Sequence, residues 1–137
     1  MKKIIFLFTL TFLISSAKQN SQSEEIRSDI LVSVINLDEG IELRCKTEQS
    51  FSCSNYSIDF DVKTQNNEIF IQFNKLNIPD MGTTSFGPAK CTIGIGKLAN
   101  GEYPVTFVLN KKKTKGKLVV GTSATLTIDA VSNVKLN

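Results

Sequence analysis

Three cysteines carry the most reactive side chains of this sequence. They are Cys45, Cys53 and Cys91, and the chain of 137 residues contains no histidine. Without an imidazole there is no histidine general base, and a cysteine nucleophile lacks its usual activating neighbour. The three cysteines also lack the close Cys-x-x-Cys spacing of a zinc site. The sequence therefore predicts a protein that is not an enzyme, with no catalytic residue, no bound metal and no cofactor.

The cysteines are instead expected to serve the structure. Cys45 and Cys53 flank a short polar segment, and a disulfide between them would stabilise the fold by restricting the unfolded chain. Cys91 alternates with Ile93 and Ile95, so it is expected to point into the core as a free thiol that behaves like a small apolar residue. Because pairing cannot be deduced from spacing, a Cys53–Cys91 bridge and no bridge at all remain alternatives.

Asp59 and Asp61 are two carboxylates at a spacing that could form a metal-binding or catalytic pair. Residues two apart in a strand share one face, and such a pair could bind Ca²⁺ or act on a glycosidic bond. The alternation of polar and apolar residues around them already accounts for their positions. The favoured interpretation is a solvated sheet face that resists pairing with other chains.

Residues 77–89 are the first candidate binding loop, with Asp80, Met81 and Phe86 as candidate contact residues. This stretch holds two of the three prolines and two apolar side chains of consequence. Long irregular loops in compact domains are often functional. The alternative is a crossover between two sheets, as Greek-key folds require.

Residues 110–116 are the second candidate binding loop, because they form a basic tip. Such a tip could contact an acidic glycan, a lipid headgroup or an acidic protein. The alternative is a solubilising loop that keeps neighbouring strands apart. The candidate contact residues are Lys111, Lys112, Lys113 and Lys115.

Residues 1–17 have the pattern of a secretory signal peptide: a basic start, a short apolar stretch and small residues before the expected cleavage site. The apolar stretch is about half the roughly 20 residues that span a bilayer, and no cysteine follows it closely enough for lipid attachment. The mature protein is therefore expected to lack a membrane span and to be secreted, periplasmic or on the cell surface. Frequent Lys, Asn and Ile favour a bacterial source. Residues 18–25 are expected to be a disordered tail and residues 26–137 a single domain.

The net charge of the chain is +3, but two of the positive charges, Lys2 and Lys3, lie in the predicted signal peptide. The remaining chain is close to neutral, which disfavours a nucleic acid as a partner. A protein or glycan partner stays open, and the sequence does not define the oligomeric state.

Period-two alternation of apolar and polar residues runs through the rest of the chain, which is typical of strands. Turn signals rich in Asn and Gly separate most of these segments. About seven to nine short strands without a helical pattern predict an all-β domain built as an antiparallel β-sandwich. The predicted strand segments are 30–37, 41–45, 56–62, 69–73, 91–95, 103–109, 118–120, 124–128 and a weak run near 134–136.

One short region resembles a feature of immunoglobulin-like and fibronectin type III-like domains. Leu98, Gly101 and Tyr103, followed by Val105 and Phe107, are similar to the corner that opens the penultimate strand of those sandwiches. The resemblance implies that a tyrosine at this corner returns its hydroxyl to the backbone. It also implies a sandwich architecture but no particular activity. The chain departs from antibody-type domains because it has no tryptophan.

Two functional hypotheses are favoured over a third, an enzyme that uses carboxylates or a cofactor, because the acidic residues are dispersed along the chain. The first is an exported, non-catalytic β-sandwich that acts as a binding, adhesion or accessory-subunit module. The second is a small secreted protease inhibitor that presents a rigid loop, because a preformed loop loses little entropy on binding.

Overall fold

The computed structural model describes residues 22–129 and 132–137, and its regular secondary structure is entirely β. The predicted all-β class is therefore confirmed. The predicted signal peptide and residues 18–21 of the predicted tail lie outside the described residues. The strands are β1 Gln22–Glu24, β2 Ile30–Leu37, β3 Gly40–Phe51, β4 Ser57–Gln65, β5 Glu68–Ile78, β6 Gly87–Gly96, β7 Gly101–Leu109, β8 Lys112–Val120, β9 Ala124–Ile128 and β10 Val134–Leu136.

The strands form where apolar side chains recur at every second residue, because alternate residues of a strand face the same side of a sheet. In β5, Ile69, Ile71 and Phe73 are buried while their neighbours Phe70 and Gln72 are exposed. Strands β3, β5, β6 and β8 continue beyond the predicted segments by several residues at one or both ends. The added residues are mostly polar, so the alternation of apolar and polar residues does not predict them as strand.

The strands follow one another in the order β10-β2-β3-β6-β4-β5-β7-β8-β9, and β1 pairs with β5. The sheet curls into a nearly closed barrel. Near its two ends the side chain of Asn36 in β2 reaches β9, where its Nδ2 donates to the Ala124 carbonyl at 3.2 Å. The Ala124 amide donates back to Asn36 Oδ1 at 2.7 Å. Strands β2 and β9 are thus joined here by hydrogen bonds from one amide side chain.

The junction between β6 and β4 is the weakest ladder along this path. It consists of the single residue pair Ser57 and Lys90, with the Lys90 amide donating to the Tyr56 carbonyl at 3.2 Å. The neighbouring ladder between β4 and β5 extends over the whole of β4. The sheet therefore divides here into two groups of strands, β10-β2-β3-β6 and β4-β5-β7-β8-β9.

The prediction of a purely antiparallel sheet needs correction. Strand β5 pairs with β7 in parallel, and β10 pairs with β2 in parallel. The position of β6 between β5 and β7 in the sequence explains why those two strands are parallel. Strand β6 runs opposite to β5 in the other group of strands, so that β7 returns beside β5 in the same direction.

Residues 22–24 fall in the stretch that the sequence assigns to a disordered tail, but they form β1 on the edge of β5. All three side chains are exposed. The difference has a simple origin, since a strand that adds to an edge is held by backbone hydrogen bonds and needs no apolar side chain.

The core lies inside the curled sheet and contains Phe107 and Leu118, both fully buried. The rings of Phe73 and Phe107 stack with centroids 6.3 Å apart. At the start of β7, Tyr103 Oη donates to the Ala99 carbonyl at 2.7 Å. The tyrosine hydroxyl thus returns to the backbone, as the resemblance to immunoglobulin-like corners implies.

Candidate functional site

Two loops lie against each other at one end of the sheet, and together we call them the loop pair. The first connects β3 to β4 (residues 52–56) and the second connects β5 to β6 (residues 79–86). Beneath them the rings of Phe51 and Tyr56 stack with centroids 5.0 Å apart. The second loop falls within the segment 77–89 that the sequence marks as a candidate binding loop.

Asn55 fixes the backbone of the second loop at two points. Its Nδ2 donates to the Met81 carbonyl at 3.0 Å, and its Oδ1 accepts from the Thr83 amide at 3.3 Å. One side-chain amide therefore satisfies a donor and an acceptor of an irregular segment that has no ladder partner of its own.

Hydroxyl groups extend this connection. The Ser54 amide donates to Thr83 Oγ1 at 3.0 Å, and Ser54 Oγ lies 2.8 Å from Thr83 Oγ1 and 3.1 Å from Ser85 Oγ. The loop pair is thus joined by a small polar network. The sequence reasoning missed these residues, although the polar stretches 52–57 and 82–85 contain the Ser, Thr and Asn residues from which such networks form.

Two glycines allow the loops to approach closely. A Cβ at Gly82 would lie 2.3 Å from Cys53 Sγ, and a Cβ at Gly87 would lie 2.8 Å from the Ser54 Cβ. Both distances are far below van der Waals contact. A side chain at Gly87 would push the two loops apart, because Ser54 Cα also lies 3.1 Å away, whereas one at Gly82 would displace the Cys53 side chain.

Met81 and Phe86 project from this network into solvent. Their exposed fractions, 87% and 79%, are well above that of the next exposed large apolar residue, Leu136 at 48%. Asp80 is also exposed. These two side chains are the large apolar groups that the second loop presents to solvent.

The second predicted binding loop is much shorter in the structure. Only Asn110 and Lys111 lie between β7 and β8, and both have positive φ, 52° and 66°. Two residues with positive φ form the tight hairpin turn whose twist suits the flanking strands. The prediction of a seven-residue loop at 110–116 is corrected. Residues 112–116 belong to β8.

The candidate lysines therefore lie along a strand rather than at a loop tip. Lys111 is in the turn, Lys112 begins β8, and Lys113 and Lys115 are exposed and share one face of it. Lys117 continues this row and contacts Glu102 on β7, with Nζ 3.5 Å from Oε2. The arrangement is a row of solvated charges along a strand.

The hairpin turn and the loop pair lie at the same end of the sheet, but at different heights. Leu109, the last residue of β7, is in register with Phe73 of β5, and β5 continues to Ile78 before the second loop begins. Five residues of strand correspond to roughly 17 Å. The structure thus sets the lysine turn back from Met81 and Phe86.

Asp59 and Asp61 share a hydrogen-bond donor. Asn74 Nδ2 lies 3.1 Å from Asp59 Oδ2 and 3.0 Å from Asp61 Oδ2. In the described parts of the chain, no three Cys, Asp or Glu side chains gather into a group that could hold a metal ion. The arrangement agrees with the favoured interpretation of these carboxylates as part of a solvated sheet face.

A shallow cavity of about 340 Å³ lies beside strands β2, β3 and β6, with Ile35, Arg44, Lys46 and Lys90 among its lining residues. Lys46 and Lys90 are directly opposite in register, which is unfavourable for like charges. Arg44 Nε is held 2.8 Å from Glu42 Oε1. The cavity is basic but partly neutralised.

All three cysteines are free thiols in the structure. Cys45 lies within β3, which continues to Phe51, so roughly 15–20 Å of extended chain separate it from the loop that contains Cys53. A disulfide needs Cα atoms less than about 7 Å apart, so the structure does not bring the predicted Cys45–Cys53 pair together. Cys91 lies opposite Cys45 instead, at a separation of 4.1 Å.

Comparison with known proteins adds no relative to this description. The chain matches no protein-family model, no curated protein and no solved structure. Among residues 22–129 and 132–137, no helix has the length and apolar character to cross a bilayer.

Proposed function

We propose that this protein is an exported, non-catalytic binding module that contacts a protein partner through the loop pair. One observation carries the proposal: among residues 22–129 and 132–137, Met81 and Phe86 are the most exposed large apolar side chains, and they project from a loop whose backbone is fixed by Asn55. An adhesion or accessory-subunit role would use the same surface.

Physical chemistry favours a protein partner over a glycan at this position. Methionine and phenylalanine gain free energy by leaving water, about 1.5–3 kcal/mol each when fully buried. Partner pockets lined by apolar side chains supply that environment. A loop already held by hydrogen bonds also loses little conformational entropy on binding, so more of this free energy appears as affinity.

We further propose that the two groups of strands form the two layers of an immunoglobulin-like β-sandwich. The single-pair junction between β6 and β4 supports this division, as does the hydrogen bond from Tyr103 to the backbone of Ala99. An experimental structure tests it directly. Two facing layers would support the proposal, whereas a continuous ladder between β6 and β4 would favour a barrel.

The binding proposal is tested by using the chain as bait for secreted and envelope proteins of its own host. We expect a stoichiometric partner, and we expect Met81→Asp combined with Phe86→Asp to weaken its binding by roughly 100-fold or more, since two buried apolar contacts are lost. Both side chains are in solvent, so the fold should be retained, as circular dichroism and thermal unfolding would show.

Two control variants sharpen this test. Lys112→Glu combined with Lys113→Glu changes the lysine row, and Leu37→Asp changes an exposed apolar residue at the far end of β2. Both should bind the partner like the wild type. Equal capture by the Met81 and Phe86 double variant would refute the assignment, and loss of capture by the lysine variant would move the site to β8.

A secreted protease inhibitor is the second candidate. The favouring observation is again the clamp by Asn55, because a substrate-like loop must stay rigid to resist cleavage and lose little entropy. Inhibition of serine, cysteine and metalloproteases by the purified chain tests this hypothesis. Inhibition lost with Met81→Asp would support it, and no inhibition in any class would eliminate it.

Export itself rests on the pattern of residues 1–17. Sequencing the N-terminus of the protein recovered from its host distinguishes the outcomes. A new terminus at Lys18 outside the cytoplasm is expected, and an intact Met1 in the cytoplasm would contradict the proposal.

A further inference from the structure

Cys45 and Cys91 occupy facing positions on two neighbouring antiparallel strands. Strand β3 pairs with β6, and the two cysteines are direct partners in the register. Directly opposed residues of antiparallel strands have Cα atoms about 4.5 or 5.5 Å apart, depending on the type of pair. Disulfides span Cα separations of about 4.4–6.8 Å. The backbone is therefore already at a disulfide distance.

The side chains also lie on the same face of the sheet. Cys45 is buried among the core residues of β3, with 2% of its surface exposed, and Cys91 packs against the same core while remaining half-buried. The two cysteines lie 4.1 Å apart. The thiols thus face one another instead of pointing to opposite sides.

The register is held on both sides of this pair. Leu43 and Ile93 form the next facing pair in the core. On the other side, the Ala89 amide donates to Thr47 Oγ1 at 2.9 Å. A slip of one residue would turn buried side chains toward solvent. The approach of the two cysteines is therefore a fixed feature of the fold.

From this geometry we infer that Cys45 and Cys91 are a redox-active pair that closes to a cross-strand disulfide when the protein meets a disulfide oxidant. The inference goes beyond the proposed binding function and does not depend on it. It assigns Cys53 as the remaining thiol, with its Sγ packed against Gly82 in the loop pair.

The reaction is thiol–disulfide exchange with an oxidant RSSR. Cys91, the more exposed thiol, loses its proton and attacks one sulfur of RSSR, forming a mixed disulfide and releasing RS⁻. Cys45 then loses its proton and attacks the Cys91 sulfur, which forms the protein disulfide and releases a second RS⁻. The two thiols give up two electrons and two protons, and RSSR is reduced to two RSH.

The environment of the pair agrees with this order. The pKa of the Cys45 thiol is raised by interaction with the Cys91 side chain, by burial and by the proximity of a Cys91 thiolate. Since the thiolate is the nucleophile, Cys45 is poorly suited to the first attack. It is well placed for the second, which needs only the neighbouring sulfur.

Peptide mapping tests the inference on the purified full chain. The protein is incubated with oxidised glutathione, remaining thiols are alkylated, and trypsin is added without a reductant. Cleavage after Arg44, Lys46, Lys90 and Lys97 should release residues 45–46 linked to residues 91–97, with alkylated Cys53 in residues 47–63. A link that includes Cys53, or alkylation of all three cysteines, would overturn the inference.

Matched variants and a second measurement complete the test. Cys53→Ser should keep the linked peptide, and Cys91→Ser should lose it. Oxidation should raise the Tm of the wild type by roughly 10 °C, because the bridge closes a long loop of the unfolded chain. The same treatment should leave the Tm of Cys91→Ser unchanged. An equal rise in that variant would also contradict the inference.

Discussion

The loop pair and the β7–β8 turn lie at the same end of the sheet, yet different forces determine their shapes. Side chains hold the loop pair: Asn55 and Ser54 bond to residues across a separation of more than 25 positions in the chain. The turn depends mainly on backbone conformation, since Asn110 and Lys111 both have positive φ, and one side-chain hydrogen bond, from Asn110 Nδ2 to the Ile26 carbonyl at 2.6 Å, ties it to a distant residue. An irregular loop needs long-range contacts to be ordered, whereas a two-residue turn is ordered by the strands that it joins.

The loop pair and the β7–β8 turn also expose different kinds of side chain. The loop pair presents two apolar side chains above a polar network. The turn leads into a row of lysines along β8, where the charges discourage pairing with other strands. Because side-chain contacts hold the loop pair, its backbone can stay irregular and still expose Met81 and Phe86. The tight turn displays only its two central residues.

The largest expected effect follows from Gly87→Ala, which attacks the close packing of the loop pair. The new Cβ would lie 2.8 Å from the Ser54 Cβ and 3.1 Å from its Cα, so Ser54 would have to move and its bonds to the second loop would break. We expect the free energy of unfolding to fall by about 1–3 kcal/mol. Urea denaturation measures the change.

Gly94→Ala is the matched control, because it lies on the same strand with no atom within 4 Å of an added Cβ. Its stability should stay within about 0.5 kcal/mol of the wild type or rise slightly. If both variants lose the same stability, the close contact at Gly87 is not what holds the loop pair.

A smaller effect is expected from Asn55→Ala. The variant removes the two hydrogen bonds that fix Met81 and Thr83, and each such bond contributes about 0.5–1.5 kcal/mol. We expect a loss of about 1 kcal/mol in stability. Amide exchange should accelerate at residues 79–86, as measured by mass spectrometry, and not at the β7–β8 turn.

Asn55→Asp separates the two halves of this clamp. It keeps an oxygen that accepts from the Thr83 amide but loses the donor to the Met81 carbonyl. Exchange should accelerate less than in Asn55→Ala. Unchanged exchange in the alanine variant would show that the loop is ordered without Asn55, and the comparison between the two regions would fail.

Local sequence patterns were sufficient for some elements and insufficient for others. Branched aliphatic residues predicted β2, and alternating Thr and apolar residues predicted β9, with the bounds that the structure has. These patterns could not reveal that β8 begins at Lys112. The exposed lysines of β8 are in a strand because their backbone pairs with β7. The sequence of β8 by itself does not show that pairing.

The candidate site shows the same division. Met81 and Phe86 were marked as candidates because they are apolar residues in an irregular stretch. The clamp by Asn55 was not foreseen, since its partners lie 26 and 28 residues away. The facing of Cys45 and Cys91 depends in the same way on the register of β3 and β6. Spacing along the chain favoured Cys53 instead.

The smallest expected effect is a gain in stability from Lys111→Gly. A non-glycine residue at a φ of 66° meets steric strain between its Cβ and the backbone, on the order of 1 kcal/mol. Asn-Gly is the preferred pair for this hairpin turn, although the extra freedom of glycine in the unfolded chain offsets part of the gain. We expect the free energy of unfolding to rise by about 0.5 kcal/mol in urea denaturation. Lys113→Gly, inside β8, should lower it instead, because glycine weakens a strand. A loss of stability in both variants would mean that the Lys111 side chain itself stabilises the turn, and that strain at its positive φ does not limit the stability of the hairpin.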